Sequence, residues 1–313
     1  IIVDDASKVI GTISDGDIRR GLLKGYSLSD SIESLYFKTP TLGYITDSKE
    51  EIIKKAITEK LYQVPIIDSE GKLLYVEDLA SLLQRRKHRR NKIVLMAGGL
   101  GSRLRPLTEE TPKPLLKVGG KPILETIIQN FVKYGFIDII ISINYKAEMI
   151  KDYFEDGLRF GANITYIEEN KRLGTAGALD LLTEVPTEPF FVMNADLLTT
   201  VNFEHMLDFH MSEHSQATMA VREYEYQVPY GVIEVKESQI TSIQEKPIQK
   251  FFVNAGIYIL SSKVLENIPK DEFYDMPTLF AELIKKEKKT LSFPIHEYWL
   301  DIGRMEEFNK AQS

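Results

Sequence analysis

Between Ile93 and Pro114 the chain passes from an apolar run into a glycine-rich turn, and then into a proline-fixed loop that carries two cations. The run Ile93 to Met96 is short, unbroken and β-branched at its start, which predicts a buried parallel strand. It gives way to Ala97-Gly98-Gly99-Leu100-Gly101-Ser102. Glycines at a strand end let the backbone approach an anion closely and aim its N–H groups at it. Leu95, Ala97, Gly98, Gly99, Gly101 and Ser102 are therefore the candidate phosphate cradle. Arg103 follows directly, and Lys113 sits between Pro112 and Pro114. Two cations on a stiff loop beside such a cradle suit a triphosphate, whose charge must be neutralised before it can be attacked. Two familiar glycine loops are excluded. No Lys-Ser or Lys-Thr closes this one, as a Walker A loop requires, and the pattern from Gly99 lacks the last glycine of the dinucleotide fingerprint.

The 313 residues suit two domains rather than one. A net charge of −7 argues against nucleic acid or an anionic membrane surface as partner. There are no cysteines, which removes disulfides and thiolate metal sites and fits a cytoplasmic protein. No apolar run is long enough to cross a bilayer. The chain opens at Ile1, inside an apolar run, so a preceding N-terminal piece is expected to be missing.

Residues 1–84 read as a small α/β domain. Ile1 to Val3 and Val9 to Ile13 form a hairpin pattern, and a helix through Leu23 follows Gly11-Thr12-Ile13-Ser14-Asp15-Gly16-Asp17. Ser48 to Glu59 reads as an amphipathic helix with Ser48 as its N-cap. Val64 to Asp68 pairs with Gly71 to Val76 across a tight turn, and Asp78-Leu79 opens a closing helix. Residues 85–91, within Gln84 to Lys92 (QRRKHRRNK), read as a solvated basic linker. From 92 to 313 strands alternate with helices, which predicts a doubly wound, mostly parallel α/β sheet. Beyond Phe203 to His210 the strands lengthen (Ala217 to Arg222, Gly231 to Val235, Ile240 to Gln244, Phe252 to Leu260), and a β-rich lobe covering one side of the sheet is expected.

Asp196 ends the apolar strand Phe190 to Met193 in Asn194-Ala195-Asp196, and Asp301 lies in Trp299-Leu300-Asp301-Ile302-Gly303. A carboxylate at a buried strand end is costly unless paired, and Mg²⁺ prefers hard oxygen ligands that bridge to phosphate. A helix N-cap for Asp196 and a plain turn for Asp301 are the alternatives. Gly174-Thr175-Ala176-Gly177 is a second glycine loop at a helix start, whose backbone can lie against a base. The five histidines show no ligand spacing, and no Ser-His-Asp set is present.

The stretch AGGLGSRLRPLT followed by PKP resembles the signature of the sugar-1-phosphate nucleotidyltransferases. The resemblance implies a Rossmann-like nucleotidyltransferase fold with a sugar-binding lobe, and transfer of a nucleotidyl group from an NTP to a sugar-1-phosphate. It implies Arg103 on the β- and γ-phosphates, Lys113 near the α-phosphate and Lys246 on the attacking phosphate. Glu245, Asn254 and the Gly231 backbone would then meet the sugar, Gly174 and Thr175 the base, and Asp196 and Asp301 would hold Mg²⁺. Leu173-Gly174-Thr175-Ala176-Gly177 is most similar to the guanylyl-transferring members, which favours GTP. Residues 1–84 resemble a pair of CBS motifs with the first copy incomplete. Gly11, Ser14 and Asp17 match the adenosyl-binding pattern, Ser14 toward a phosphate and Asp17 toward the ribose. The second copy keeps Asp78 but has Tyr75 where Ser or Thr belongs. The other reading of the pair is a dimerisation platform in which Ser14 and Asp17 merely cap a helix; a homodimer or larger assembly is expected. The fusion resembles the glucosamine-1-phosphate guanylyltransferases of legionaminic acid biosynthesis. Mannose- or heptose-1-phosphate transfer, or a non-catalytic regulator, are the alternatives.

Overall fold

The computed structural model describes residues 1–79 and 88–312. The chain divides into two compact units, 1–87 and 88–313.

In the first unit, β1 (Ile2–Val3) and β2 (Val9–Gly11) pair antiparallel about a turn in which Asp4 Oδ1 accepts from the Ala6 and Lys8 N–H groups. Helix α1 (Asp15–Leu23) follows. Further on, β3 (Gly43–Tyr44), α2 (Lys49–Thr58), β4 (Gln63–Ile67) and β5 (Leu73–Asp78) form a three-stranded sheet with one covering helix. Both helices start as the sequence predicts. Ser14 with Asp17, and Ser48 with Glu51, form reciprocal capping boxes that satisfy two orphan donors each. The core is small, centred on Ile52, Ala56, Val64 and Ile66. The helix expected from Asp78 onward falls outside the described residues; Asp78 itself is the last residue of β5.

The expected linker, 85–91, is divided. Residues 85–87 lie outside the described residues, whereas His88 to Asn91 are built into the second unit. The Arg89 N–H donates to Gly135 O (3.0 Å), and its guanidinium pairs with Glu204 and lies 5.5 Å from the centre of the Phe136 ring. Asn91 Nδ2 donates to Pro189 O (2.7 Å). Basic composition alone suggested solvation, but a guanidinium carries enough flat apolar surface to be half-buried once a carboxylate meets it.

The second unit runs β6 (Ile93–Met96), α3 (Leu107–Glu110), the short pair β7 (Lys117–Val118) and β8 (Lys121–Pro122), α4 (Ile123–Lys133), β9 (Asp138–Ile143), α5 (Ala147–Phe154) and β10 (Asn163–Glu168). Then come α6 (Gly174–Gly177), β11 (Phe190–Asn194), β12 (Leu197–Thr199), α7 (Phe203–Ser212), β13 (Ala217–Gln227), β14 (Val232–Lys236), β15 (Gln239–Gln244) and β16 (Ile248–Leu260). It closes with α8 (Met276–Lys285), β17 (Thr290–Ile295), β18 (Trp299–Asp301) and α9 (Met305–Gln312). Seven strands form one sheet in the order β10-β9-β6-β11-β16-β13-β17, parallel except for β16. Alternate residues of the central strands enter two separate cores, as period-two alternation in a doubly covered sheet requires. Ile93, Leu95, Phe191 and Met193 pack beneath α4, α5 and α7, where Phe131 stacks on Phe203 with ring centres 3.9 Å apart. Val94, Phe190 and Val192 pack beneath α8 with Leu279, Phe280 and Leu283.

The expected β-rich lobe is corrected in one respect. β13 and β16 belong to the main sheet, and it is their far halves, from Glu223 and to Phe252, that run on past it as an exposed ribbon. Of the four strands expected in the lobe, β14 and β15 alone pair in a small sheet of their own. The sequence signal was ambiguous because each long strand is buried at one end and exposed at the other. A bulge separates the two halves of β16: Ala255 to Ile257 stand opposite Ala220, with Gly256 at φ +72°. Among the described residues no helix is long and apolar enough to cross a membrane.

Candidate active site

The glycine turn leaves β6 at the carboxyl ends of the parallel strands, where ligands of open α/β sheets bind. The Ala97 N–H donates to Ser142 O (2.8 Å), which fixes the first residue of the turn against β9. A methyl group at Gly98 would come within 2.5 Å of Glu169 Oε1, so a larger residue there would have to displace the Glu169 carboxylate. At Gly99 it would meet nothing within 4 Å, which leaves that position open to a ligand. Gly101 takes φ +62° and packs on Thr108 and the Lys113 Cβ; the buried Thr108 hydroxyl donates to Gly101 O (2.9 Å). The turn is thereby pinned to the proline loop that carries Lys113. Ser102 and Arg103 are exposed on the following 3₁₀ turn, anchored by the buried Leu104. Leu95 is placed differently from expectation. It lies in the core, laddered between Ile141 and Met193, and supports the turn from below.

Asp196 and Asp301 come together, but through paired strands rather than separate strand ends. β12 and β18 run antiparallel with Leu197 opposite Asp301, and the Ile302 N–H donates to Asp196 O (3.0 Å). The Lys113 ammonium pairs with Asp196 Oδ2. Asp196 is therefore an ion-pair acceptor at the strand end and caps no helix. Asp196 Oδ1 and Asp301 Oδ1 are both buried without a hydrogen-bond partner among the described residues. Burial, and then the Asp196 carboxylate beside it, push the Asp301 carboxyl above its ordinary value, against the opposing pull of Lys113 and Arg103. A methyl group at Gly303 would lie 3.5 Å from an Arg103 nitrogen and 3.6 Å from both Asp301 oxygens, which places the guanidinium and the carboxylate together beside this turn. Trp299 Nε1 donates to Ala255 O (2.8 Å), tying β18 to the bulge of β16. Two half-buried carboxylates, each with one covered and unpartnered oxygen among the described residues and one of them paired with a lysine, are the donor set a hard divalent cation takes.

The second glycine loop is tied down more than the sequence suggested. Gly174, at φ +81°, lies against Tyr274 O and Asp275 Oδ1. The N–H groups of Ala176 and Gly177 donate to Tyr274 O, and that of Thr175 donates to Asp275 Oδ1. The Thr175 hydroxyl accepts from the Met276 N–H (2.9 Å). These three donors hold the start of α8, so they are not presented to a base.

Gly231 and Glu245 flank the β14–β15 hairpin and face each other: a methyl group at Gly231 would lie 3.0 Å from Glu245 Oε2. Lys246, next along, is exposed in a left-handed conformation (φ +46°), a strained backbone for a lysine. The Asn254 amide is turned to its own strand. It accepts from the Gly256 N–H (2.9 Å) and donates to the Tyr258 hydroxyl (2.7 Å), so it shapes the bulge. Ser14 and Asp17 are engaged with one another and with Arg20 (2.6 Å).

Glu169 escaped the sequence reading. It follows β10, accepts from the Ser142 hydroxyl (2.7 Å) and the Leu173 N–H (3.2 Å), and lies directly behind Gly98. It thus joins the two glycine loops. A lone glutamate at a strand end carries no signal by itself; its spacing of five before Gly174 becomes meaningful only once both loops are seen at one sheet edge. Glu307, from α9, adds a third carboxylate beside Asp301 and also has a buried oxygen without a partner among the described residues.

Comparison with known proteins bears on 92–313, which match the family model described as Nucleotidyl transferase. The chain is similar to the mannose-1-phosphate guanyltransferase of Yarrowia lipolytica, 35% identical over 228 residues. It is similarly close to the catalytic subunit beta of mannose-1-phosphate guanylyltransferase from Xenopus tropicalis, 35% identical over 226 residues. Each match covers 69% of this chain, which spans 62% of the length of either relative. Among solved structures, HddC from Yersinia pseudotuberculosis superposes with a TM-score of 0.55 at 29% identity, covering 71% of this chain and 97% of that one. The same protein complexed with GMP-PN superposes equally well.

Proposed function

This chain belongs to the nucleotidyl transferase family, and on that premise we propose that it transfers a guanylyl group from GTP to a hexose-1-phosphate, giving a GDP-sugar and pyrophosphate. The observation that carries the reading is the half-buried Asp196–Asp301 pair, each with an Oδ1 covered and unpartnered among the described residues, with Lys113 and Arg103 against it, beside a glycine turn whose Gly99 side is open. Direct displacement needs positioning and charge neutralisation rather than a protein nucleophile. An oxygen of the sugar phosphate attacks the α-phosphorus, and the bond to the pyrophosphate oxygen breaks in line. Arg103 balances charge on the leaving group. Lys113 lies deep enough to serve the α-phosphate, and Lys246 holds the attacking phosphate at the hairpin. Asp196 and Asp301 would hold Mg²⁺, which supplies charge neutralisation at the phosphates when bound.

The base preference has its own support. Glu169 offers only acceptors between the two glycine loops, and guanine alone among the common bases presents N1–H and N2–H₂ donors side by side on one edge. The HddC complex with GMP-PN and the names of the guanyltransferase relatives point the same way. For the acceptor, those relatives' names favour mannose-1-phosphate. Glucosamine-1-phosphate, and with it legionaminic acid biosynthesis, is the second reading and rests on the CBS resemblance of the first unit. The test is pyrophosphate release with Mg²⁺, crossing GTP, ATP, UTP and CTP with mannose-, glucosamine- and glucose-1-phosphate. Release confined to GTP with one hexose phosphate is expected. Release with another nucleotide would remove the role given to Glu169, and no release from any pair would overturn the activity.

A further inference from the structure

We propose that Lys113 bars the Asp196–Asp301 pair to a free divalent cation, so that the site takes its metal only as the chelate of a nucleoside triphosphate. The inference rests on the nucleotidyl-transfer reading for the identity of the incoming polyanion. Lys113 is only 9% exposed, and its ammonium already occupies one oxygen of Asp196. Its anchor is fixed, since it begins a 3₁₀ turn between two prolines and its Cβ lies against Gly101, so the ammonium leaves Asp196 only when another anion is within reach of the same stem. The groups acting on Asp301 are Asp196 and Glu307 on one side and Lys113 and Arg103 on the other. With Asp301 itself these make three carboxylates against two cations, one net negative charge. That is weak recompense for a hard dication that must shed water and face an ammonium across a shared carboxylate. A triphosphate changes the balance. It brings its own oxygens to the metal, and it offers the Lys113 ammonium a second anion, so that the lysine can exchange Asp196 for phosphate as the metal takes the carboxylate.

The test uses Mn²⁺ as the probe, its binding to the full chain followed by electron paramagnetic resonance, with no turnover required. Nucleotide-free wild type and Lys113→Arg are expected to bind Mn²⁺ weakly. Lys113→Met, which removes the competing charge at similar volume, should bind it at least ~10-fold more tightly, and adding Asp301→Asn should abolish that gain. With a non-hydrolysable GTP analogue, wild type should retain Mn²⁺ strongly. Equal Mn²⁺ affinity of nucleotide-free wild type and Lys113→Met overturns the inference alone, provided the analogue still promotes retention. No retention by wild type with any nucleoside triphosphate overturns the inference and the nucleotidyl-transfer reading together. Should Lys113→Met fail to fold, tight Mn²⁺ binding by nucleotide-free wild type still overturns the inference, and retention that appears only with the analogue supports it.

Discussion

Two short motifs in this chain present carboxylates, one at a helix start in the first unit and one at paired strands in the second, and they end in opposite conditions. In the first unit, Asp17 accepts from the Ser14 N–H and pairs with Arg20, while Ser14 accepts from the Asp17 N–H. Every polar atom the motif would offer to a ligand already serves the start of α1. In the second unit, Asp196 and Asp301 each keep a buried oxygen without a partner among the described residues, and two like charges are held side by side by strand pairing. Folding alone gives little reason to build the second arrangement, since taking a carboxylate oxygen out of water without a hydrogen bond is costly, whereas a capping box satisfies its own donors. The contrast separates a motif that the fold itself explains from one that only a ligand explains.

The largest effect that sharpens this contrast is expected from Asp301→Asn. The substitution keeps the shape and removes one of the two adjacent charges. If the pair exists for a ligand, turnover in the pyrophosphate assay falls by ~10²–10³, the loss typical for one charge-stabilising group. Thermal stability should move the other way, rising by about 1 kcal/mol, as when a strained functional group is relieved. Unchanged turnover, or a fall in stability of similar size, would make Asp301 a structural residue and remove the contrast.

The legibility of the molecule follows the same division. Features set by neighbours in sequence were readable: the β6 turn, the apolar face of α4, the Ser48 N-cap, and Asp196 as an exceptional strand-end carboxylate. What could not be read depends on contacts across long separations. Asp301 stands out beside Asp196 from its own pentapeptide, but the β12–β18 pairing that brings the two together spans about a hundred residues and has no local signal. Glu169 gains meaning only from Gly98 and Leu173. The Asn254 amide looked available because nothing in the sequence foretold the bulge that engages it. Arg89 looked solvated because Glu204 and Phe136, which receive it, lie far along the chain.

His210 offers an intermediate case, a buried polar group with hydroxyl partners whose charged form is disfavoured by burial. It is 1% exposed on α7, with Nδ1 2.8 Å from the Thr218 hydroxyl and Nε2 3.4 Å from that of Ser261. Burial holds the imidazole down at about 4, from an ordinary value of 6.5. Between those values the unfolded chain binds a proton that the folded one does not, so stability falls as pH falls through this window. By pH 4 the loss attributable to His210 should reach about 3 kcal/mol. Denaturant unfolding of the wild type and His210→Gln at pH 7 and pH 4.5 measures it: the wild type should lose more than the variant. Parallel losses would show that His210 does not set the acid limit.

The smallest effect is the one most able to break the contrast. Ser14→Ala removes the cap and should cost about 1 kcal/mol of stability in the first unit, with turnover in the pyrophosphate assay unchanged. A purely structural motif predicts the same cost whatever is in solution. An adenosyl site predicts something else: AMP or ATP at millimolar concentration would raise the unfolding midpoint of the wild type and not of Ser14→Ala. For a ligand to bind there it must displace Asp17 from the Ser14 hydroxyl and N–H, and so exchange local hydrogen bonds for new ones of similar strength. Little net affinity is then left from those two residues, and the expected outcome is no nucleotide-dependent difference. A Ser14-dependent shift would mean that hydrogen-bond satisfaction in the free protein does not mark a motif as structural, and the orphaned oxygens of Asp196 and Asp301 would then have to be argued from the metal-binding data alone.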